Sequence, residues 1–334
     1  MTKPESILCP RPEGLYCAPG DFFIDPVRPV ERAVITHGHS DHARAGHEVV
    51  LATQATLDIM AERYGEGFAG QTQALAYGET VVRDGVEVSL SPAGHVLGSA
   101  QAVVRWGGLT VVVSGDYKRR RDPTCPPFEP VPCDVFVSEA TFALPVFRHP
   151  PDTEEVGKLL RSLAQFPNRA HLVGAYALGK AQRLIRLLRE AGHDRTIYVH
   201  GAMERLNALY ARHGVDLGPL APATGADSDL AGEIIIAPPS ALAERWSRRF
   251  AEPVSAFASG WMGVRARARQ RAVELPLVIS DHADWDELTA TIAELRPAEL
   301  WITHGREEAL ARWASLNGIA ARPLSLVGYE DEDA

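Results

Sequence analysis

Short apolar, β-branched runs separated by turn residues fill the first 140 positions. Those at 33–36, 49–52, 86–91, 102–106, 110–114 and 135–138 predict strands. Residues 53–64 predict a helix. The rhythm changes after a turn-rich stretch at 147–151. Asp152, with Glu155 three positions on, predicts a capping box, and Val156, Leu159, Leu160 and Leu163 fall on one helical face. Strands then follow at 171–175, 196–199, 233–237 and 254–258, interleaved with helices at 180–190 and 241–250. Strands alternating with helices predict parallel βαβ units. The chain closes with a strand at 275–280, a helix at 285–295, a strand at 299–303 and an acidic end at 330–334 that is expected to fray.

At 334 residues the chain is long for one core and suits two domains, or one with a large insertion. An apolar fraction of 46%, with 28 Gly and 24 Pro, is that of a globular protein. A net charge of −9 argues against a uniformly basic nucleic-acid binder but allows a local basic groove. No run approaches the roughly 18 apolar residues of a membrane helix. The first residues lack a secretory pattern. The four cysteines, Cys9, Cys17, Cys125 and Cys133, lack CxxC spacing and read as reduced thiols of a cytoplasmic protein without membrane contact.

The chemistry gathers at strand ends, where rigid scaffolds place reactive groups. Thr36–His37, Ser114-Gly115-Asp116, Ser138–Glu139, Ser280-Asp281-His282 and Thr303–His304 each put a His, Asp or Glu just after a predicted strand, and His95 follows the strand ending near Pro92. The densest cluster is Thr36-His-Gly-His-Ser-Asp-His42. Neutral imidazole and carboxylate are preferred ligands of zinc and manganese. His37 and His39 flank Gly38 and can converge on one ion if the loop curls, leaving Asp41 and His42 to face a second. A catalytic metal needs further ligands, and His95, Asp116 and His304, beside Gly94, Gly115 and Gly305, are the candidates.

These residues carry a resemblance. His37-Gly-His39-Ser-Asp41-His42 resembles the HxHxDH signature of the metallo-β-lactamase fold, and the segments around His95 and Asp116 resemble that fold's third and fourth motifs. Ser138-Glu139-Ala-Thr-Phe, Ser280-Asp-His282-Ala-Asp and Thr303-His304-Gly resemble motifs A, B and C of the β-CASP nucleases. Ser259-Gly-Trp261 and Gly179-Lys-Ala-Gln182 are similar to that group as well. Among its members the chain is most similar to bacterial DNA-ligase-associated exonucleases. The crosslink-repair subgroup usually lacks the histidine that stands here at His304.

The resemblance implies an α/β protein: an αββα metallo-β-lactamase sandwich, its first part at 1–145, an inserted β-CASP cap at 146–275, and a return to the core at 276–334. It implies that His37, His39 and His95 hold one divalent ion, Zn or Mn. Asp41, His42 and His304 would hold the other, with Asp116 bridging. The implied function is metal-dependent hydrolysis of phosphodiester bonds, as a DNA exonuclease in DNA repair. A DNA ligase or helicase is the implied partner. An RNA-processing nuclease or a thioesterase- or lactamase-type hydrolase are the alternatives. Within the nuclease reading, Asp41 orients the nucleophile, and His282 contacts the phosphate or protonates the leaving oxygen. Glu139 fixes the His282 ring, and Asp284 is a helix N-cap. Candidate phosphate contacts are Lys118, Arg119, Arg120 and Arg121, and also Arg265 and Arg267, whose alternation with Arg269 and Arg271 would put four guanidiniums on one face of an extended segment.

Overall fold

The computed structural model describes residues 2–224, 230–271 and 273–324. In chain order it opens with β1 (Leu8–Arg11), β2 (Gly14–Cys17), β3 (Phe22–Ile24), β4 (Arg32–Val34), β5 (His47–Ala52), α1 (Gln54–Tyr64) and β6 (Ala69–Ala74). Next come β7 (Thr80–Arg83), β8 (Val86–Pro92), β9 (Ala100–Trp106), β10 (Leu109–Val113) and β11 (Val135–Ala140). A third stretch holds α2 (Asp152–Gln165), β12 (His171–Gly174), α3 (Lys180–Glu190), β13 (Ile197–Val199), α4 (Glu204–Arg212) and β14 (Leu220–Pro222). It continues through β15 (Ile234–Ala237), β16 (Val254–Ala258), α5 (Arg265–Gln270) and β17 (Leu275–Leu277). The last elements are α6 (Trp285–Leu295), β18 (Glu299–Gly305), α7 (Glu307–Leu316) and β19 (Ala320–Pro323).

The described residues form two compact units, one of 2–148 with 282–324 and one of 149–281. In the first, strands β1 to β6 lie in order in one sheet, and a second sheet runs β19-β18-β11-β10-β9-β8-β7. Alternation along the strands decides the layers. Leu15, Ile24 and Val34 of the first sheet meet Val86, Val88, Leu90, Val111 and Val137 of the second in one buried cluster. The outer face of the second sheet, with Val103, Val112, Phe136 and Ile302, is covered by Leu288 and Ile292 of α6 and Leu310 and Ala314 of α7. The outer face of the first, with Ala33, Val50 and Ala52, is covered by Leu57 and Met60 of α1. The result is an αββα sandwich.

The second unit is an all-parallel sheet in the order β14-β13-β15-β12-β16-β17. Leu172, Ile235 and Ala237 bury one face of it with Phe250.

Several expectations need correction. Asp152 is the first residue of α2, not its cap. Pro151 holds the cap position without a side-chain bond, and the Asp152 carboxylate is taken by Arg183 at 2.6 Å. Residues 241–250 form no α-helix but two 3₁₀ turns, Pro239–Leu242 and Ser247–Arg249, from which Leu242, Trp246 and Phe250 pack onto the sheet; tertiary packing overrides helix propensity here. The chain passes between the two units at 148/149 and 281/282. Leu275–Leu277 extends the parallel sheet of the second unit by pairing with Ala256–Ala258 instead of starting the return. The acidic end at 330–334 lies outside the described residues.

Candidate metal centre

The loop after β4 is shaped from behind. The Thr36 backbone N–H and hydroxyl both donate to the Asp25 carboxylate, at 2.7 and 2.6 Å. The N–H groups of His42 and Ala43 donate to the His39 carbonyl at 3.2 and 2.7 Å, curling the loop into one turn. Arg63, from α1, donates to the Gly38 carbonyl at 2.8 Å. Gly115, at φ +55°, lets the end of β10 come against this loop; a Cβ there would lie 2.6 Å from the Thr36 hydroxyl. Asp116 is thereby delivered to the histidines. On the other side β18 passes a register shift against β11 at Ser138/Ala140. There His304 adopts the left-handed φ of +57°, uncommon for a residue with a Cβ.

The donors form two groups that share one carboxylate. Asp116 Oδ2 lies 3.4 Å from His37 Nε2 and 3.7 Å from His95 Nε2, and His95 Nε2 is 3.0 Å from His39 Nδ1. Asp116 Oδ1 instead faces His42 Nε2 at 3.5 Å, which is 3.6 Å from Asp41 Oδ2. The His42 and His304 ring centroids are 5.0 Å apart. Donor atoms of His37, His39, His95 and Asp116 lie within 4.8 Å of one another. The same spread holds for His42, Asp116 and His304, and for His37, Asp41 and His42.

The electrostatics match such a site. Burial, reinforced by neighbouring imidazoles, holds His37 and His95 well below the usual histidine range, and burial followed by His42 pushes His304 down to about 3. These rings are held in the neutral form, the one that ligates a metal. Burial would raise Asp116, but His42, His282 and His37 outweigh it and keep the carboxylate ionised. Burial also opposes charge on His42, yet Asp116, Asp41 and Asp25 push it up to about 10. Three carboxylates thus favour positive charge at this point. Neutral imidazoles alternating with buried carboxylates are a donor set that fits divalent ions.

Partners behind the donors fix their ring orientation. Thr36 Oγ1 lies 3.1 Å from His37 Nδ1, and Asp25 Oδ2 lies 2.8 Å from His42 Nδ1, so each ring turns Nε2 inward. Asp25 was not among the residues singled out from the sequence. It too follows a strand, but that strand is three residues long and Pro26 comes next, which marks an ordinary turn.

His282 stands beside this centre, its ring centroid 4.8 Å from that of His95. Its Nδ1 is 2.9 Å from Glu139 Oε2, and the other Glu139 oxygen accepts the Tyr117 N–H at 2.7 Å. Burial raises the Glu139 pKa against the pull of His282. Asp116, Glu139 and His282 also lie close enough to form a ligand group, but both Glu139 oxygens are already engaged, so the pair reads as a held imidazole.

The basic run after Asp116 meets acidic partners within the protein. Lys118 is fully buried with its Nζ 2.6 Å from Asp122. Arg119 pairs with Glu294 at 2.7 Å. Arg120 reaches Asp284 and Glu287, each at 3.1 Å. These last two fasten the loop to α6, whose N-cap is Asp284 in a capping box with Glu287. Arg121 is exposed. Arg265 and Arg267 lie on α5, not on an extended segment, so with Arg269 they spread around a helix whose C-cap is Arg271. Arg267 stacks 3.9 Å over the Trp261 ring.

Residues 24–173 match the profile of the Metallo-beta-lactamase superfamily. A probable DNA ligase of Opitutus terrae is 26% identical over 320 residues, which span 90% of this chain and 30% of the relative. Endoribonuclease YSH1 of Gibberella zeae is 33% identical over 174 residues, 51% of this chain and 20% of that protein. The chain therefore spans less than a third of the length of these curated relatives. A crystal structure of a protein of unknown function from Enterococcus faecalis V583 shares the fold at a TM-score of 0.59 and 15% identity, over 89% of this chain and 80% of that one.

Proposed function

We propose, from the match of residues 24–173 to the Metallo-beta-lactamase superfamily profile, that the chain is a metal-dependent nuclease, a DNA exonuclease acting in DNA repair. The observation that carries this is the sharing of Asp116 between two donor groups with the Glu139-held His282 alongside. Divalent ions, Zn or Mn, held by His37, His39, His95, Asp116, Asp41, His42 and His304 would supply activation of water and neutralisation of phosphate charge. Asp41 orients the attacking water. His282, its Nδ1 on Glu139, offers Nε2 to the scissile phosphate or to the leaving oxygen as a proton donor. We read residues 149–281 as the β-CASP-type insertion, with Arg265 and Arg267 contacting the nucleic-acid backbone.

DNA is favoured by the likeness to a probable DNA ligase across 90% of the chain, which also makes a DNA ligase the natural partner. RNA is the second reading, favoured by the likeness to an endoribonuclease over 51% of the chain. A time course on 5′- and 3′-labelled single- and double-stranded DNA and RNA, with Mn²⁺ and Zn²⁺, separates them. We expect stepwise shortening of DNA that falls about 10²-fold or more in His282→Ala. Faster cleavage of RNA would favour the second reading, and no cleavage of either with either metal would overturn both.

A further inference from the structure

Inside the 149–281 unit lies a second buried polar cluster. Lys180 and Arg183, one helical turn apart on α3, are both fully buried. Lys180 Nζ lies 3.1 Å from Asp281 Oδ2, and Arg183 Nη1 lies 3.3 Å from Asp281 Oδ1. Arg183 also donates to the Ser280 carbonyl. Its other terminal nitrogen binds Asp152 at 2.6 Å. Arg183 therefore ties together residues close to the two ends of this unit, since the chain enters at 149 and leaves after 281. The next residue in the chain is His282.

The composition of this cluster is physically odd if its purpose is stability alone. Two cations and two carboxylates are charge-balanced, but taking ions from water is costly, and apolar side chains of similar volume commonly serve a core at least as well. Lys180 moreover occupies the first position of α3, where the helix dipole disfavours a cation. Gln182 completes the segment by accepting the Gly179 N–H at 2.9 Å and donating to Asn207 at 2.7 Å, so the start of α3 is itself anchored. What this arrangement provides is direction: both oxygens of Asp281 and the preceding carbonyl are held from one rigid helix face.

We propose that Lys180 and Arg183 are positioning residues for His282, acting through the 280–281 segment that they grip. The proposal rests on the nuclease reading for its kinetic consequence and on the chain connectivity for its structural one. Removing the grip lets the His282 backbone move by a fraction of an ångström to about an ångström, a displacement that can cost about 10²-fold in rate.

The test uses Lys180→Met and Asp152→Asn, with Lys180→Arg and Arg183→Lys as charge-keeping variants. One arm follows the ¹⁵N-histidine resonances of the zinc-loaded full chain. Lys180→Met should shift or broaden His282, assigned by its loss in His282→Ala, while leaving His193 unmoved; Lys180→Arg should restore it. The second arm measures kcat and KM on labelled single-stranded DNA with Mn²⁺. Lys180→Met should lower kcat about 10- to 100-fold with KM within about twofold, and Lys180→Arg should recover most of it. An unmoved His282 resonance overturns the proposal, as does an unchanged kcat. A shifted resonance in a chain that cleaves no nucleic acid supports the positioning and leaves the nuclease reading as the one that failed.

Discussion

Two buried polar clusters answer their charges in opposite ways. Around Asp116 the donors converge, with the rings of His37 and His42 held from behind by Thr36 and Asp25 and their Nε2 atoms turned toward a shared carboxylate. Around Asp281 the charges meet one another directly, cation on carboxylate. Both are enclosed, and both are rich in ionisable groups. Burial of charge therefore does not by itself mark a binding site. The mark is convergence: several lone pairs aimed at one point, with support on their far side. The same distinction applies to the cations. Lys118, Arg119 and Arg120 look like a phosphate cradle, but Asp122, Glu294, Asp284 and Glu287 engage them from within the protein. Arg267 rests on the face of Trp261, a ring that carries no countercharge of its own.

The sharpest way to break this contrast is to remove the shared carboxylate. Asp116→Ala should abolish stoichiometric binding of divalent metal by elemental analysis and lower cleavage of labelled DNA by about 10³-fold or more, the several kcal/mol attributed to metal activation. Full metal content in that variant would mean that the two donor groups are not joined through Asp116. A smaller effect tests the support from behind. Asp25→Asn keeps the shape but weakens the bond to His42 Nδ1, and metal affinity measured by chelator competition should fall about 10- to 100-fold. Unchanged affinity would reduce Asp25 to a loop staple. The smallest effect separates the two kinds of arginine. Arg267→Ala should weaken binding of single-stranded DNA a few-fold and lower the dependence of log K on log salt by about one, whereas Arg120→Ala should leave that slope unchanged. Equal slopes for the two variants would erase the distinction between engaged and available cations.

Much of the architecture was legible because period-two alternation and apolar runs are local signals. The helices at Lys180–Glu190 and Trp285–Leu295 and the strand at Val254–Ala258 coincide with their expected bounds. The short strands β1 to β3, and β14 and β19, carry three or four residues each, too few for alternation to stand out from turns. The 241–250 segment has helical residues but folds as separate turns because Leu242, Trp246 and Phe250 gain more by packing on the sheet. At the centre, the residue types and their strand-end positions were visible, and the structure brings His37, His39, Asp41, His42, His95, Asp116 and His304 together. Asp25 was not visible, since nothing local distinguishes a carboxylate that supports a ligand from one that closes a turn.

The sequence by itself determined where chemistry could lie, because imidazole and carboxylate placed at the ends of strands are a property of composition and order. It also determined that the chain alternates between two styles of sheet, because hydrophobic period is written residue by residue. Only the tertiary structure decided which ionisable groups are aimed at a common point and which cancel one another. That outcome depends on partners 164 to 172 residues away, such as Asp284, Glu287 and Thr291 on the loop at 119–120, and electrostatic partnership falls off over a few ångströms of space whatever the distance along the chain.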